Sequence, residues 1–134
     1  MIYAVIDTNV LVSALLSKHD NAATVQIIES IFNGIITPVY SDQIIYEYRT
    51  VLQREKFKFP QEAQNHLIYA IEKFGIYTFP PKSQINLPDV KDLPFYEAAI
   101  AQTYYYLITG NKKHFPDESF VLTPRAMINI LNTH

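Results

Sequence analysis

Four positions in the 134-residue chain set side chains of the kind that hard-cation chemistry uses where an element ends or borders the core: Asp7, Glu47, Asp92 and Asn111. Asp7 follows an apolar run directly, in Val5-Ile-Asp-Thr-Asn-Val10, so its carboxylate stands at a strand's carboxyl end and at the mouth of the next helix. Asp92 stands at another helix start, in Pro88-Asp-Val-Lys-Asp-Leu-Pro-Phe95, and Asn111 follows Tyr105-Tyr-Leu-Ile-Thr109 and Gly110. Glu47 lies on a helix where, at about 100° per residue, it falls just outside the apolar arc and borders the core. Each residue also has a plainer reading. Asp7 and Asp92 suit helix N-caps, Glu47 suits a flank position with packed stem and solvated head, and Asn111 suits a left-handed turn. Taken together, carboxylates gathered without a basic partner are costly unless a hard cation sits among them. Mg²⁺ and Mn²⁺ take oxygen ligands and keep water, which leaves room for a phosphate oxygen and a nucleophilic water. That is the chemistry of in-line phosphodiester hydrolysis.

The elements that must position these residues can be read from the hydrophobic pattern. Residues 2–6 form a continuous, β-branched apolar run, the signature of a strand buried on both faces in a parallel sheet. A helix follows over 8–16, and Asn21 is the expected N-cap of a second helix running through Phe32 with Gly34 as its stop. A strand over 35–40 leads to Ser41, which caps the helix that carries Glu47 and buries Ile44, Ile45, Tyr48, Val51 and Leu52. Pro60 starts another helix that Gly75 ends, and 76–79 reads as a short strand. Residues 80–91 hold three prolines and read as a loop. Asp92 then opens a helix with Pro94 harmless in its first turn, 105–109 is a strand, 120–122 a last short strand, and Pro124 begins a helix through Leu131. Alternating strands and helices imply an α/β fold, a three-layer α/β/α sandwich on a four- or five-stranded parallel sheet. In such sheets ligands collect at the carboxyl ends of the strands, where Asp7 and Asn111 stand.

Bulk composition narrows the function further. With 49% hydrophobic and 18% charged residues the chain reads as globular, and its length suits one domain over residues 1–134. The absence of cysteine excludes a disulfide frame, a thiolate metal site and a cysteine nucleophile, and fits a cytoplasmic enzyme. No signal peptide is expected, because Asp7 interrupts the first apolar run, and no stretch reaches the roughly 20 apolar residues of a membrane span. A net charge of −2 excludes coating nucleic acid by charge alone, so an RNA ligand needs local cations or a bound metal.

On these residues the chain resembles the PIN-domain nucleases, including the toxins of bacterial toxin–antitoxin pairs. The resemblance rests on Asp7-Thr-Asn-Val-Leu-Val-Ser13, on Tyr46-Glu-Tyr-Arg-Thr-Val-Leu52 followed by Arg54, on Asp92 with Phe95 and Ala98-Ala-Ile-Ala101, and on Leu107-Ile-Thr-Gly-Asn111. Each motif is short; their order and spacing over most of the chain are specific together. The resemblance implies that Asp7, Glu47 and Asp92 are catalytic metal ligands for Mg²⁺ or Mn²⁺, supported by Thr8, Asn9 and Thr109. Asn111 is a departure, since many relatives carry Asp there; an amide oxygen can coordinate a hard cation but adds no charge. Arg49, Arg54, Lys112, Lys113 and His114 are the candidate phosphate contacts, with charged surface as the plainer reading of each. The ten tyrosines offer stacking faces for unpaired bases, although Tyr104-Tyr-Tyr106 reads as core and helix end. The implied activity is endonucleolytic cleavage of single-stranded RNA, with a cognate antitoxin and self-association as expected partners. Two alternatives stand beside it: a weak or inactive PIN module that binds RNA or a protein, and a phosphatase with Asp7 as covalent nucleophile. Asn9 argues against the phosphatase, which normally needs a second Asp at that position.

Overall fold

The computed structural model describes residues 1–133. It contains strands β1 (Ile2–Ile6), β2 (Ile36–Tyr40), β3 (Ile76–Tyr77), β4 (Tyr105–Ile108) and β5 (Val121–Leu122), and helices α1 (Thr8–Leu16), α2 (Ala23–Phe32), α3 (Asp42–Leu52), α4 (Gln61–Phe74), α5 (Leu93–Ala99) and α6 (Pro124–Asn132). The strands form one parallel sheet in the order β3-β2-β1-β4-β5. Ala4, Val5 and Ile6 of the central strand have no exposed surface, so helices cover both faces there. This is why the first strand is a continuous apolar run and does not alternate. On the helical side, α2 packs against β2, α4 and α6, while α5 packs against β1, β2 and β4. From β1 the chain steps outward through β2 to β3, then returns through α5 to β4 on the other side of β1. The strand order therefore reverses between β1 and β4, and a crevice opens at their carboxyl ends.

Local chemistry explains most boundaries. Ser41 caps α3, its Oγ accepting from the Ile44 amide at 3.3 Å. Gly34 takes φ +76 behind α2 while the Gly34 and Ile35 amides donate to the Ile31 and Ser30 carbonyls, a Schellman closure of the helix. Gly75 is needed for closeness and not for its φ: a Cβ there would strike the carbonyl oxygens of Ile71 and Pro38.

Three expectations need correction. Asn21 is not the cap of α2; Ala22 holds that position without a side-chain bond, and the Asn21 carbonyl accepts from the Gln26 amide side chain at 2.8 Å. The third strand spans only Ile76–Tyr77, ending before Phe79, which is largely exposed. Tyr104 is no helix end, since α5 stops at Ala99; it lies exposed in the turn ahead of β4, stacked edge-on to Tyr3 and Tyr105.

Candidate active site

Asp7 continues the ladder of β1, its amide donating to the Ile108 carbonyl at 2.9 Å, and its carboxylate is nearly buried at 5% exposure. Asp7 holds the N-cap position of α1, but its side chain makes no capping hydrogen bond to that helix. Its Oδ2 accepts instead from Thr109 Oγ1 at 2.7 Å and from Asn9 Nδ2 at 3.2 Å. Thr109 Oγ1 in turn accepts from the Asn111 amide at 3.0 Å, and Asn9 Oδ1 accepts from the Gly110 amide at 3.2 Å. Asn9 and Thr109 thus lace the ends of β1 and β4 together around one carboxylate. Burial pushes the Asp7 carboxyl up to about 6; the Thr109 bond and the Thr8 backbone pull it down, and Asp92 raises it further. Thr8 Oγ1, next in the chain, is buried and has no hydrogen-bond partner.

Glu47 is positioned by its neighbour. Tyr48, fully buried, donates its hydroxyl to the Ile6 carbonyl at 2.5 Å and sets its ring against Phe95. This anchors α3 to the carboxyl end of β1, and Glu47 is turned to the crevice, half-buried. Asp92 precedes α5 and, like Asp7, caps nothing with its side chain. Its Oδ2 meets His114 Nδ1 at 3.0 Å. Burial raises the Asp92 carboxyl most, the His114 bond lowers it, and Asp89 and Glu47 raise it through charge. Asn111 is exposed with φ −126, so the left-handed turn reading fails as well.

Asp7, Glu47, Asp92 and Asn111 line one open cleft of about 340 Å³, together with Thr8 and Asn9. Arg54, Lys91, Asp89 and His114 also line it. Of the other proposed phosphate contacts, Arg49 is elsewhere, paired with Glu72 at 3.5 Å. Lys112 and Lys113 are exposed on a short 3-10 turn and do not line the cleft. Glu97, also carried by α5, is buried away from the cleft, where it accepts from the Ser83 amide. Sequence reasoning missed Tyr48, Asp89 and Lys91. For the last two a signal existed, two acids three apart around a lysine at the mouth of a helix; for Tyr48 there was none beyond its place on the apolar arc.

Among the described residues no group of three or more acids, histidines or cysteines closes into a metal-holding cluster. The donor set nonetheless fits a hard divalent cation: carboxylate, amide and hydroxyl oxygens predominate, the Asp7 carboxylate is buried, and a buried hydroxyl at Thr8 lacks a partner.

A parallel sheet with acids gathered where its strand order reverses defines an α/β protein with its binding cleft at the topological switch point. The chain belongs to the PIN-domain family, whose model matches residues 3–113. PIN domains are in general nucleases, so a nuclease-type function follows at the family level. The chain matches no curated protein and no solved structure. Among the described residues, no helix is long and apolar enough to cross a membrane.

Proposed function

We propose that the chain, one PIN-like domain over residues 1–134, is a metal-dependent endoribonuclease that cleaves single-stranded RNA. The observation that supports this best is the buried Asp7 carboxylate, raised to about 6, beside the unpartnered Thr8 hydroxyl in a cleft shared with Glu47 and Asp92. A bound Mg²⁺ or Mn²⁺ supplies Lewis-acid activation of water and of a phosphoryl oxygen. Asp7 and Asp92 would hold that ion, with Thr8 and Asn111 as neutral oxygen donors. Glu47 would bind it through water or orient the attacking water. Thr109 and Asn9 keep the Asp7 carboxylate in one rotamer, and His114 does the same for Asp92. Arg54 and Lys91, both on the cleft wall, meet the phosphate.

The test is cleavage of an unpaired RNA oligonucleotide by purified protein with Mn²⁺ or Mg²⁺. EDTA and Asp7→Asn should each abolish it; activity that persists in purified Asp7→Asn ends the proposal.

One observation favours a second reading, a weak or inactive module that binds RNA or protein. The acids do not close into a cluster among the described residues, and Asn111 is neutral. A cation bound only by the folded form raises stability by roughly 2.7 kcal/mol at a hundredfold excess over Kd. RNA binding with no Mn²⁺-induced rise in melting temperature would favour the module. From the resemblance, the role is that of a cytoplasmic toxin that can self-associate, with a cognate antitoxin placing a basic side chain in the acidic cleft.

A further inference from the structure

The cleft is flanked on two sides. One flank, sharing Asn9 and Asn111 with it, is a small neutral groove that also includes Ser13 and Thr24. The other flank shares Glu47 and Lys91 with the cleft and widens into a groove of about 480 Å³ against Tyr46 and Pro94. Tyr46 follows Ile45 on α3 yet is 70% exposed, so its ring contributes little to the core. Of the two flanks, only this one has an aromatic face.

The charges say what the groove takes. Asp42 and Glu47 on its wall repel a phosphate, while Lys91 sits at the seam between groove and cleft and attracts one. The Asp42 carboxylate accepts from the Tyr77 hydroxyl at 2.9 Å, which holds it in place. A flat, uncharged ring entering over Tyr46 with its phosphate left at Lys91 satisfies all of these. Aromatic platforms beside cationic seams bind unpaired nucleotides in this manner, because every base has a π-face. Resting on the nuclease reading above, we propose that this groove binds the base of the unpaired nucleotide adjoining the phosphate held in the cleft, stacked on Tyr46, with Lys91 contacting its phosphate.

The experiment separates this from catalysis. Asp7→Asn protein, which keeps the shape of the site, is titrated with a fluorescein-labelled unpaired RNA heptamer in Mn²⁺, and anisotropy gives Kd. Adding Tyr46→Ala should weaken binding about tenfold, the order of one base–aromatic stack, while Tyr46→Phe should stay within about twofold. Because Tyr46 is exposed, melting should be unaltered in both. In a set of heptamers with one abasic nucleotide each, one position should cost the parent a similar factor and cost the Tyr46→Ala protein nothing. Lys91→Gln should lower the slope of log Kd against log salt by about one phosphate contact. Unchanged binding in Tyr46→Ala overturns the proposal, as does a parent that binds no heptamer. If binding needs Tyr46 but wild type cleaves nothing, the nuclease reading fails and the groove stands. If wild type cleaves and Tyr46→Ala binds and cleaves equally, the groove fails and the nuclease stands.

Discussion

Asp7 and Asp92 line the same cleft, and burial is the largest cause of the upward shift in both, yet they are held in different ways. Asp7 ends a central strand, and its partners Thr109 and Asn9 are tied in turn to the backbone of the neighbouring strand end. Asp92 follows a loop and has one side-chain partner, His114, itself partly exposed on a short turn. A carboxylate fixed by the sheet cannot swing out to water, so the cost of burying its charge is stored in the fold. One fixed by a loop and a turn can give way. The rigid corner therefore bears most of the electrostatic cost of the metal-free site, and the pliable corner adapts to whatever the cleft receives.

The largest expected effect tests that cost directly. Asp7 has its folded carboxyl raised to about 6 from an ordinary 3.8. The fold therefore favours its protonated form. Its contribution to stability is fully present below about pH 4 and is lost as pH rises through 6. A carboxyl raised that far loses roughly 3 kcal/mol of stabilisation between acid pH and pH 7. In EDTA, wild type should melt higher at pH 5 than at pH 7.5, and Asp7→Asn should both flatten that dependence and melt higher at pH 7.5. A steep, unaltered pH profile in Asp7→Asn would put the cost at another group, Asp92 being the next candidate.

Thr109→Val sharpens the comparison from the other partner. The substitution keeps shape, removes a fully buried hydroxyl, and leaves both Asp7 and the Asn111 amide short of a bond. Leaving buried groups unsatisfied costs about 1–3 kcal/mol. Urea unfolding at pH 7.5 should register that loss, and the loss should shrink in an Asp7→Asn background, where less charge is stranded. Equal losses in the two backgrounds would mean that Thr109 serves packing alone.

The smallest effect concerns the rim. Asn111→Asp adds an anion at an exposed position, one hydrogen-bond relay from Asp7. Exposure screens the new charge, so a gain of up to about tenfold in Mn²⁺ affinity, 1.4 kcal/mol, is the expected ceiling. In EDTA the same variant should be slightly less stable than wild type. Unchanged affinity and unchanged stability together would remove Asn111 from the site and leave three acids.

What could be read from the sequence follows from how local each feature is. The strand of residues 2–6, the Ser41 cap and the Gly34 stop are written in adjacent residues, and the structure has all three. The Asn21 cap failed although its chemistry was equally local, because Asn21 lies one residue outside the helix cap, exposed, with its carbonyl engaged by Gln26. The cleft was legible as a place, since strand ends gather at one edge. Its wiring was not. The bond from Thr109 to Asp7 joins residues 102 apart, and that from Tyr48 to Ile6 residues 42 apart. The first depends on which strand pairs with which, and the second on which helix lies across the end of β1. The pattern of apolar residues announces a parallel sheet without giving its order, so the carboxylates' partners became visible only once β4 was seen beside β1.

That long-range bond has a consequence during synthesis. Chains emerge from the ribosome from the amino end at roughly 5–20 residues per second, and the earlier segments collapse first. A nascent chain that has exposed β1 through α4 already carries Asp7 and Glu47, but it lacks Asp92 and the Thr109 that fixes Asp7. Until β4 slots in beside β1, the future cleft wall is an unpaired strand edge. The complete set of groups therefore cannot assemble on a nascent chain that stops short of β4; it forms only after the sheet has gained its fourth strand.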